Sequence, residues 1–519
     1  MSSSQSTGAS TGEFGKLRAA LWPIHTFELK KFLPLAFIMF CLLFNYTLLR
    51  DTKDTLVVNS AGAGAISFLK LYCVTPAAIL FVLIYAKLTN VLSRENVFYA
   101  VVTPFIIFFG LFAFVIYPNI DALHPSQATV QALTEAYPRL SGFIDLYAYW
   151  AYSLFYVLAE IWGSAMIALM FWQFANHVVR MTESKRFYGL FAVIGNVALI
   201  LSGQVVAFCS KNIQAFYASK EEAWQMSLYL LMGAVVLFGI VAMGLYRWMY
   251  TTVLTDKRYF DPEAQEGKAK KKKEKPSLME SAKIIFRSPE LGLIAILIMA
   301  YGVTINLIEV QWKNQLGLFS QGDKGYYNWF MGQFSTLTGL FTIAFGLFIG
   351  SNILRRVSWF KAAIITPLAI SVGGFIFFSF IIAEDVMDFV LNTLSKDAVT
   401  AATFLGAAIV VLGKAVKYIL FDSTKEMAYI PLPDELKTKG KAAVDVIGGR
   451  AGKAGGAFVQ STLQIFFATK DVLIIAMPAF AVFGATAIFW CFAVKLLGKK
   501  VDAAVERKKL ETMQQITAT

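Results

Sequence analysis

The chain has 519 residues, of which 57% are hydrophobic and 15% aromatic, and only 16% are charged, against about 25% in ordinary soluble domains. A mean hydropathy of +0.59 excludes a soluble multi-domain protein and leaves a polytopic α-helical membrane protein. The net charge of +13 does not point to nucleic acid, because the basic residues gather beside apolar segments.

In chain order, Met1 to Gly12 is rich in Ser, Thr and Gly and reads as disordered. No apolar signal-peptide core precedes the first long span, and no Arg-rich transit peptide is evident, which favours a bacterial protein over a plastid one. A spanning helix needs about 20 mostly apolar residues. Twelve such segments are expected: 32–58, 65–90, 96–117, 143–176, 186–209, 224–252, 290–312, 326–350, 360–383, 398–428, 441–468 and 471–496. The least regular is 441–468, which glycines and charges interrupt. The 119–142 loop, with Pro125 and Pro138, reads as an outward cap holding one short helix. A basic linker follows the sixth span, with eight basic residues against four acids between Lys257 and Lys275. It reads as a solvated topogenic loop, or else as a surface for anionic lipid or a partner. The expected organisation is a cytoplasmic N-terminus at 1–25, six-helix bundles at 26–252 and 289–497, the linker at 253–288 and a tail at 498–519.

Lysines and arginines set the orientation. Lys16, Arg18, Lys30 and Lys31 precede the first span. Alternate loops carry Arg94, then Arg180, Lys185 and Arg186, then Arg355 and Arg356, then Lys437 and Lys439. The loop after 383 is acidic, with Glu384, Asp385, Asp388 and Asp397. Both termini are therefore expected in the cytoplasm, in agreement with an even number of spans.

Charge inside the spans carries the functional signal. The first span holds Arg50-Asp51-Thr52-Lys53-Asp54, the fourth ends a Tyr156 run on Glu160, the seventh holds Asn306, Glu309 and Lys313, and the tenth holds Asp422-Ser423-Thr424-Lys425-Glu426. A charge at this depth costs at least about 2.5–3.5 kcal/mol, so it is placed on a cavity or paired. Spans one, four, seven and ten begin the four helix triplets of a major-facilitator-like fold and line its cavity. The fold class is thus an all-α membrane protein of twelve transmembrane helices in two six-helix halves.

Residues three or four apart share a helix face. Arg50 pairs in direction with Lys53, Asp422 with Lys425, and Glu309 with Lys313. Clustered Lys and Arg suit a polyanionic solute, because their hydrogen bonds to phosphate are charge-assisted. Arg50, Lys53 and Lys425 are the leading candidates for substrate contact. Glu160, Glu309 and Asp422 are candidate countercharges or gates. Intrahelical ion pairing would use the same residues, and for Asp54 and Lys313 that structural reading is preferred. Asn306 and Asn196 are candidates for a base or ribose, or for helix–helix bonding. Tyr46, Tyr156 and Phe174 are candidates for stacking on a purine.

The run Gly448-Gly449-Arg450-Ala451-Gly452-Lys453 resembles a phosphate-binding loop but lacks its spacing and its Ser or Thr after the lysine. The four-residue recurrence of Gly448, Gly452 and Gly456 reads as a close helix-packing face, with Arg450 kept as a phosphate candidate. Cys41, Cys73, Cys209 and Cys491 and three isolated histidines show no metal-ligand spacing. Neither metal nor cofactor is expected, and the missing nucleophile and phosphate-loop motifs argue against an enzyme.

Three runs carry a resemblance. Leu49-Arg50-Asp51-Thr52-Lys53-Asp54-Thr55, Phe187-Tyr188-Gly189-Leu190-Phe191 with Gly195-Asn196, and Ser423-Thr424-Lys425-Glu426-Met427-Ala428-Tyr429-Ile430-Pro431 resemble the ATP/ADP translocases of obligate intracellular bacteria and plastids, most closely chlamydial members. The resemblance covers residues 25 to 497. It implies twelve helices and exchange of external ATP for internal ADP, with functional charges at Lys53, Glu160, Glu309 and Lys425. It implies ATP and ADP as substrates, with phosphate as a further one, and a monomer in the bacterial inner membrane. A proton-coupled nucleotide or phosphate-ester importer is the alternative, with Glu160 or Glu309 carrying the proton. An integral-membrane enzyme is the third reading.

Overall fold

The computed structural model describes residues 22–260, 288–383, 397–430 and 440–517, together with residues 18 and 432. The Ser/Thr/Gly-rich start, the lysine run of the linker, the acids Glu384, Asp385 and Asp388, and Lys437 and Lys439 lie outside the described residues.

The described residues form helices and short connections, with no strand among them. The long helices are α1 (Leu29–Ala61), α2 (Ala65–Val91), α3 (Arg94–Leu123), α4 (Trp150–Val178), α5 (Met181–Lys211), α6 (Lys220–Val253), α7 (Pro289–Phe319), α8 (Lys324–Leu354), α9 (Trp359–Ile382), α10 (Ala398–Tyr429), α11 (Lys441–Phe466) and α12 (Ala476–Thr517). Eleven helices among the described residues are long and apolar enough to cross a membrane. The expected span at 441–468 is α11, a 26-residue helix that is not one of the eleven. Its glycines and charges dilute its hydropathy, while its rise of about 1.5 Å per residue still gives it spanning length.

Local chemistry sets the ends. α1 stops at Gly62, whose φ of +81° needs a residue without a Cβ. The expected fourth span begins later than 143, because Ser141–Ala148 is a separate helix and Tyr149 breaks the chain before α4. The 119–142 loop holds Gln127–Ala136, capped by the Ser126 hydroxyl, which accepts from the Thr129 amide at 3.3 Å.

Aromatic residues tie helix to helix. The Trp162 indole donates to Leu42 O at 3.2 Å, fixing α4 on α1, and Trp312 donates to Thr403 O at 3.0 Å, fixing α7 on α10. Glycines allow the closest approaches. A Cβ on Gly302 of α7 would lie 2.6 Å from the Gly452 carbonyl carbon of α11. Gly203 of α5 and Gly332 of α8 meet the same way, each ideal Cβ 2.6 Å from the other's carbonyl oxygen. Side-chain links between the first six helices and the last six gather at the end away from the chain termini. Examples are Asp54–Lys313 at 2.8 Å, Lys470–Asp145 at 2.8 Å and Thr55 to Asn328 at 2.9 Å.

Candidate functional site

Between the two sets of helices lies a cavity of about 440 Å³. Its wall comes from α1, α4, α7 and α10, as expected, and also from α2, α8 and α11. The lining cations are Arg50, Lys53, Lys70, Lys313, Lys414, Lys417, Lys425 and Lys453; the lining carboxylates are Asp54, Glu160, Glu309 and Asp422. Basic groups thus outnumber acidic ones by eight to four. Size and charge both admit a compact polyanion.

The charges form linked pairs. The Lys53 ammonium is nearly fully buried, 2.8 Å from Asp54 and 3.0 Å from Glu160, and 3.9 Å from the centre of the Tyr156 ring. Asp54 also holds Lys313 at 2.8 Å. Lys53, Glu160, Asp54 and Lys313 therefore make a charge-neutral quartet across α1, α4 and α7. Each buried ion keeps an opposite charge in contact, as a low-dielectric site requires. Arg50 donates to Asp51 at 3.0 Å and to the Ser335 hydroxyl at 2.6 Å, and that hydroxyl donates to Asp51 at 2.7 Å.

Two expected pairings are replaced. Lys313 does not pair with Glu309 on its own helix: it reaches across to Asp54, and Glu309 takes Lys414 of α10 at 3.1 Å. Both choices bridge separate helices and bury charge against charge. Asp54 keeps the intrahelical pair expected of it, with Lys53, and adds Lys313 of α7; for Lys313 the intrahelical pairing is replaced by this cross-helix one, and both residues line the cavity. Asp422 pairs not with Lys425 but with Lys417, five residues back, at 2.9 Å. The reason is a π-helical turn over Lys417–Phe421, whose wider register brings positions five apart together. Lys425 lies 3.3 Å from Glu426, and Glu426 also pairs with Lys441 of α11.

Of the remaining candidates, Asn306 lines the cavity, and its side-chain oxygen accepts from Gln460 at 3.1 Å. The structure does not bring Asn196 or Arg450 to this wall. Asn196 donates to Ala192 O of its own helix at 3.0 Å and stands where α5 passes Gly339 of α8. Arg450 is exposed, and Gly449 and Lys453 supply that turn's part of the lining. Tyr46 is the one of the three stacking candidates on the wall. Tyr156 is buried beneath Lys53, and Phe174 lines a separate cavity.

Sequence reasoning missed Lys70, Lys414, Lys417 and Lys453, together with the lining tyrosines Tyr301 and Tyr418. All four lysines stand inside expected spans, and that depth was the available signal. No group of His, Cys, Asp and Glu among the described residues is arranged to hold a metal.

The model of the TLC ATP/ADP transporter family matches residues 7–501. The chain belongs to the TLC ATP/ADP transporter family. It is 43% identical over 507 residues to ADP,ATP carrier protein 1 of Chlamydia pneumoniae, covering 97% of this chain and 98% of that one. It is 45% identical over 506 residues to ADP,ATP carrier protein 1 of Rickettsia prowazekii (strain Madrid E), covering 97% and 100%. In fold it is similar to a bacterial homologue of the iron transporter ferroportin, with TM-score 0.56 and 14% identity over 90% of this chain and 100% of that one. It is similar as well to a POT family transporter, with TM-score 0.53 and 10% identity over 91% and 96%. These two likenesses speak to a major-facilitator-like fold alone. As a member of a transporter family, the chain is a carrier and not an enzyme.

Proposed function

We propose that the chain exchanges ATP for ADP across the bacterial inner membrane by alternating access through the central cavity. The observation that carries this reading is the eight-to-four excess of basic over acidic side chains on the cavity wall. An empty, closing cavity must strip water from the cations that its own carboxylates do not neutralise, which is costly without further anions. A nucleotide brings the missing negative charge as phosphate oxygens, matched to Lys and Arg donors. The loaded carrier therefore closes more readily than the empty one, which is the condition for obligatory exchange. Lys53, Lys425 and Arg50 are the proposed phosphate contacts, Asn306 and Tyr46 the proposed base or ribose contacts, and Glu160, Glu309 and Asp422 the countercharges that release lysines on loading.

The positive-inside pattern places both termini in the cytoplasm in this reading. The cavity, closed at the end away from the termini, then faces inward. We take the monomer as the working unit, since each chain encloses a whole cavity.

The test is uptake of labelled ATP into vesicles carrying the purified chain. Strong stimulation by internal ADP and indifference to a protonophore are expected. Uptake that ignores internal ADP, or that collapses with the protonophore, rejects exchange in favour of proton-coupled import.

A further inference from the structure

Two lysines on the cavity wall have no carboxylate of their own. Every other lining cation stands within 3.3 Å of an acidic side chain. Lys70 of α2 and Lys453 of α11 line the same cavity but make no ion pair among the described residues. Lys453 is exposed within the cavity and Lys70 is half-buried. Both lie within electrostatic reach of Glu160, the carboxylate that Lys53 already holds at 3.0 Å.

Their positions are specific. α2 belongs to the first six helices and α11 to the last six, and the two meet at the start of α2, where Gln464 of α11 donates to the carbonyl of Gly64, the residue that caps α2, at 3.3 Å. Lys70 sits inside a π-helical turn, Leu69–Val74, which departs from the α-helical register just where the side chain meets the cavity. Lys453 stands one turn beyond Gly449, a lining residue with open space around it. An ammonium group has three donors and no acceptor. Water satisfies both lysines while the cavity is open. On closure that water is lost, and only an anion delivered with the substrate can replace it.

We infer that Lys70 and Lys453 form a polyphosphate clamp, one jaw on each side of the joint between the two sets of helices, that reads the length of the phosphate chain. The inference rests on the nucleotide reading above and adds the residues that distinguish a triphosphate from a diphosphate. A diphosphate neutralises one jaw, whereas a triphosphate reaches both and draws the two sets of helices together. Glu160, shared in range of Lys53 and both jaws, is the anion that the substrate displaces.

The test uses the full-length purified chain, with ATP and ADP affinities measured by calorimetry for wild type, Lys70→Gln, Lys453→Gln and Lys70→Arg. Each Gln variant should lose about tenfold or more in ATP affinity, the scale of one charge-assisted hydrogen bond. At least one should lose distinctly less for ADP, so that the ATP-to-ADP affinity ratio falls. Lys70→Arg should keep part of that ratio, and unchanged melting temperatures identify variants that fold normally. Well-folded Gln variants with wild-type affinities, or with equal losses for ATP and ADP, overturn the clamp while leaving the nucleotide reading intact. A wild-type chain that binds neither nucleotide overturns that reading, and the clamp with it.

Discussion

Lys53 holds two carboxylates at once, and its substitution therefore acts in two ways. Lys53→Gln removes a proposed phosphate contact and also frees Glu160, while Asp54 keeps only Lys313. Truncating one partner of a buried charge pair typically costs about 2–5 kcal/mol. Lys53→Gln should accordingly weaken ATP binding roughly 30-fold or more by calorimetry; an unchanged dissociation constant would make Lys53 structural. Glu160→Gln and Glu309→Gln should behave differently. Two anions repel, so neither carboxylate is a phosphate contact, and each instead holds a lysine when substrate is absent. Their Gln variants keep volume and most hydrogen bonding while losing charge. The exchange rate should fall much further than ATP affinity, because only cycling needs the ion pair. If binding and exchange fall together by one factor, the carboxylates shape the substrate site and the gating idea is wrong.

At the scale of the helix, apolar length made most elements legible, since α1 to α10 follow the expected spans within several residues, whereas α12 begins at Ala476 and its helix runs on through the expected tail to Thr517, because helix propensity continues past the apolar stretch. Helix α11 was legible for another reason. The four-residue spacing of Gly448, Gly452 and Gly456 marked a packing face, and the Gly302–Gly452 approach is that face. The site was legible only in part. Lys53, Glu160, Glu309 and Lys425 stood out because each sits in a charged run at an equivalent helix, but an isolated lysine such as Lys70 has no run around it. Its neighbour pattern also assumes an α-helical period, and the π-helical turns at Leu69–Val74 and Lys417–Phe421 change that register. Pairings such as Glu309 with Lys414 depend on how two helices are docked, which no local period encodes. The packing face is testable. Gly302→Leu inserts a side chain where even a Cβ has no room, and overpacking costs about 1–3 kcal/mol or forces the helices apart. The melting temperature should drop by several degrees, while Gly244→Ala, at a position with open space, should leave it unchanged or raised. Equal melting temperatures for both variants would show that α7 and α11 are not pressed together at Gly302.

Among the described residues, salt bridges between the two sets of helices gather at one end of the molecule. Asp54–Lys313, Asp145–Lys470 and Lys220–Asp323 join the two sets of helices at the end away from the termini. These bridges differ in burial, and burial predicts their strength. Lys470 is 44% exposed and Lys220 77% exposed, while the carboxylates they meet, Asp145 and Asp323, are 4% and 12% exposed, so each bridge keeps a solvated ammonium and is weaker than a fully buried pair. Asp54 and Lys313 are nearly fully buried, and breaking such a pair typically costs about 3–5 kcal/mol. Part of that cost bears on the closed state alone, because opening this end parts α1 from α7 and exposes both charges to water. Asp54→Asn leaves Lys53 and Lys313 facing each other without the carboxylate they share, and like charges add to the drive to open. The variant should therefore shift the population toward a state open at this end, and Asp145→Asn should shift it far less. A single cysteine at Ser60, near the end of α1, reports the change in a background without Cys41, Cys73, Cys209 and Cys491. Its labelling by a membrane-impermeant thiol reagent should rise by tenfold or more in Asp54→Asn, since about 1.4 kcal/mol already gives a factor of ten, and by about twofold in Asp145→Asn. The side from which Ser60→Cys labels fixes orientation in the same experiment, and outside labelling is expected from the positive-inside pattern. Equal rates in wild type and both variants would mean that the buried pair does not hold this end closed, and the Gly203–Gly332 contact between α5 and α8 would then be the joint that must open.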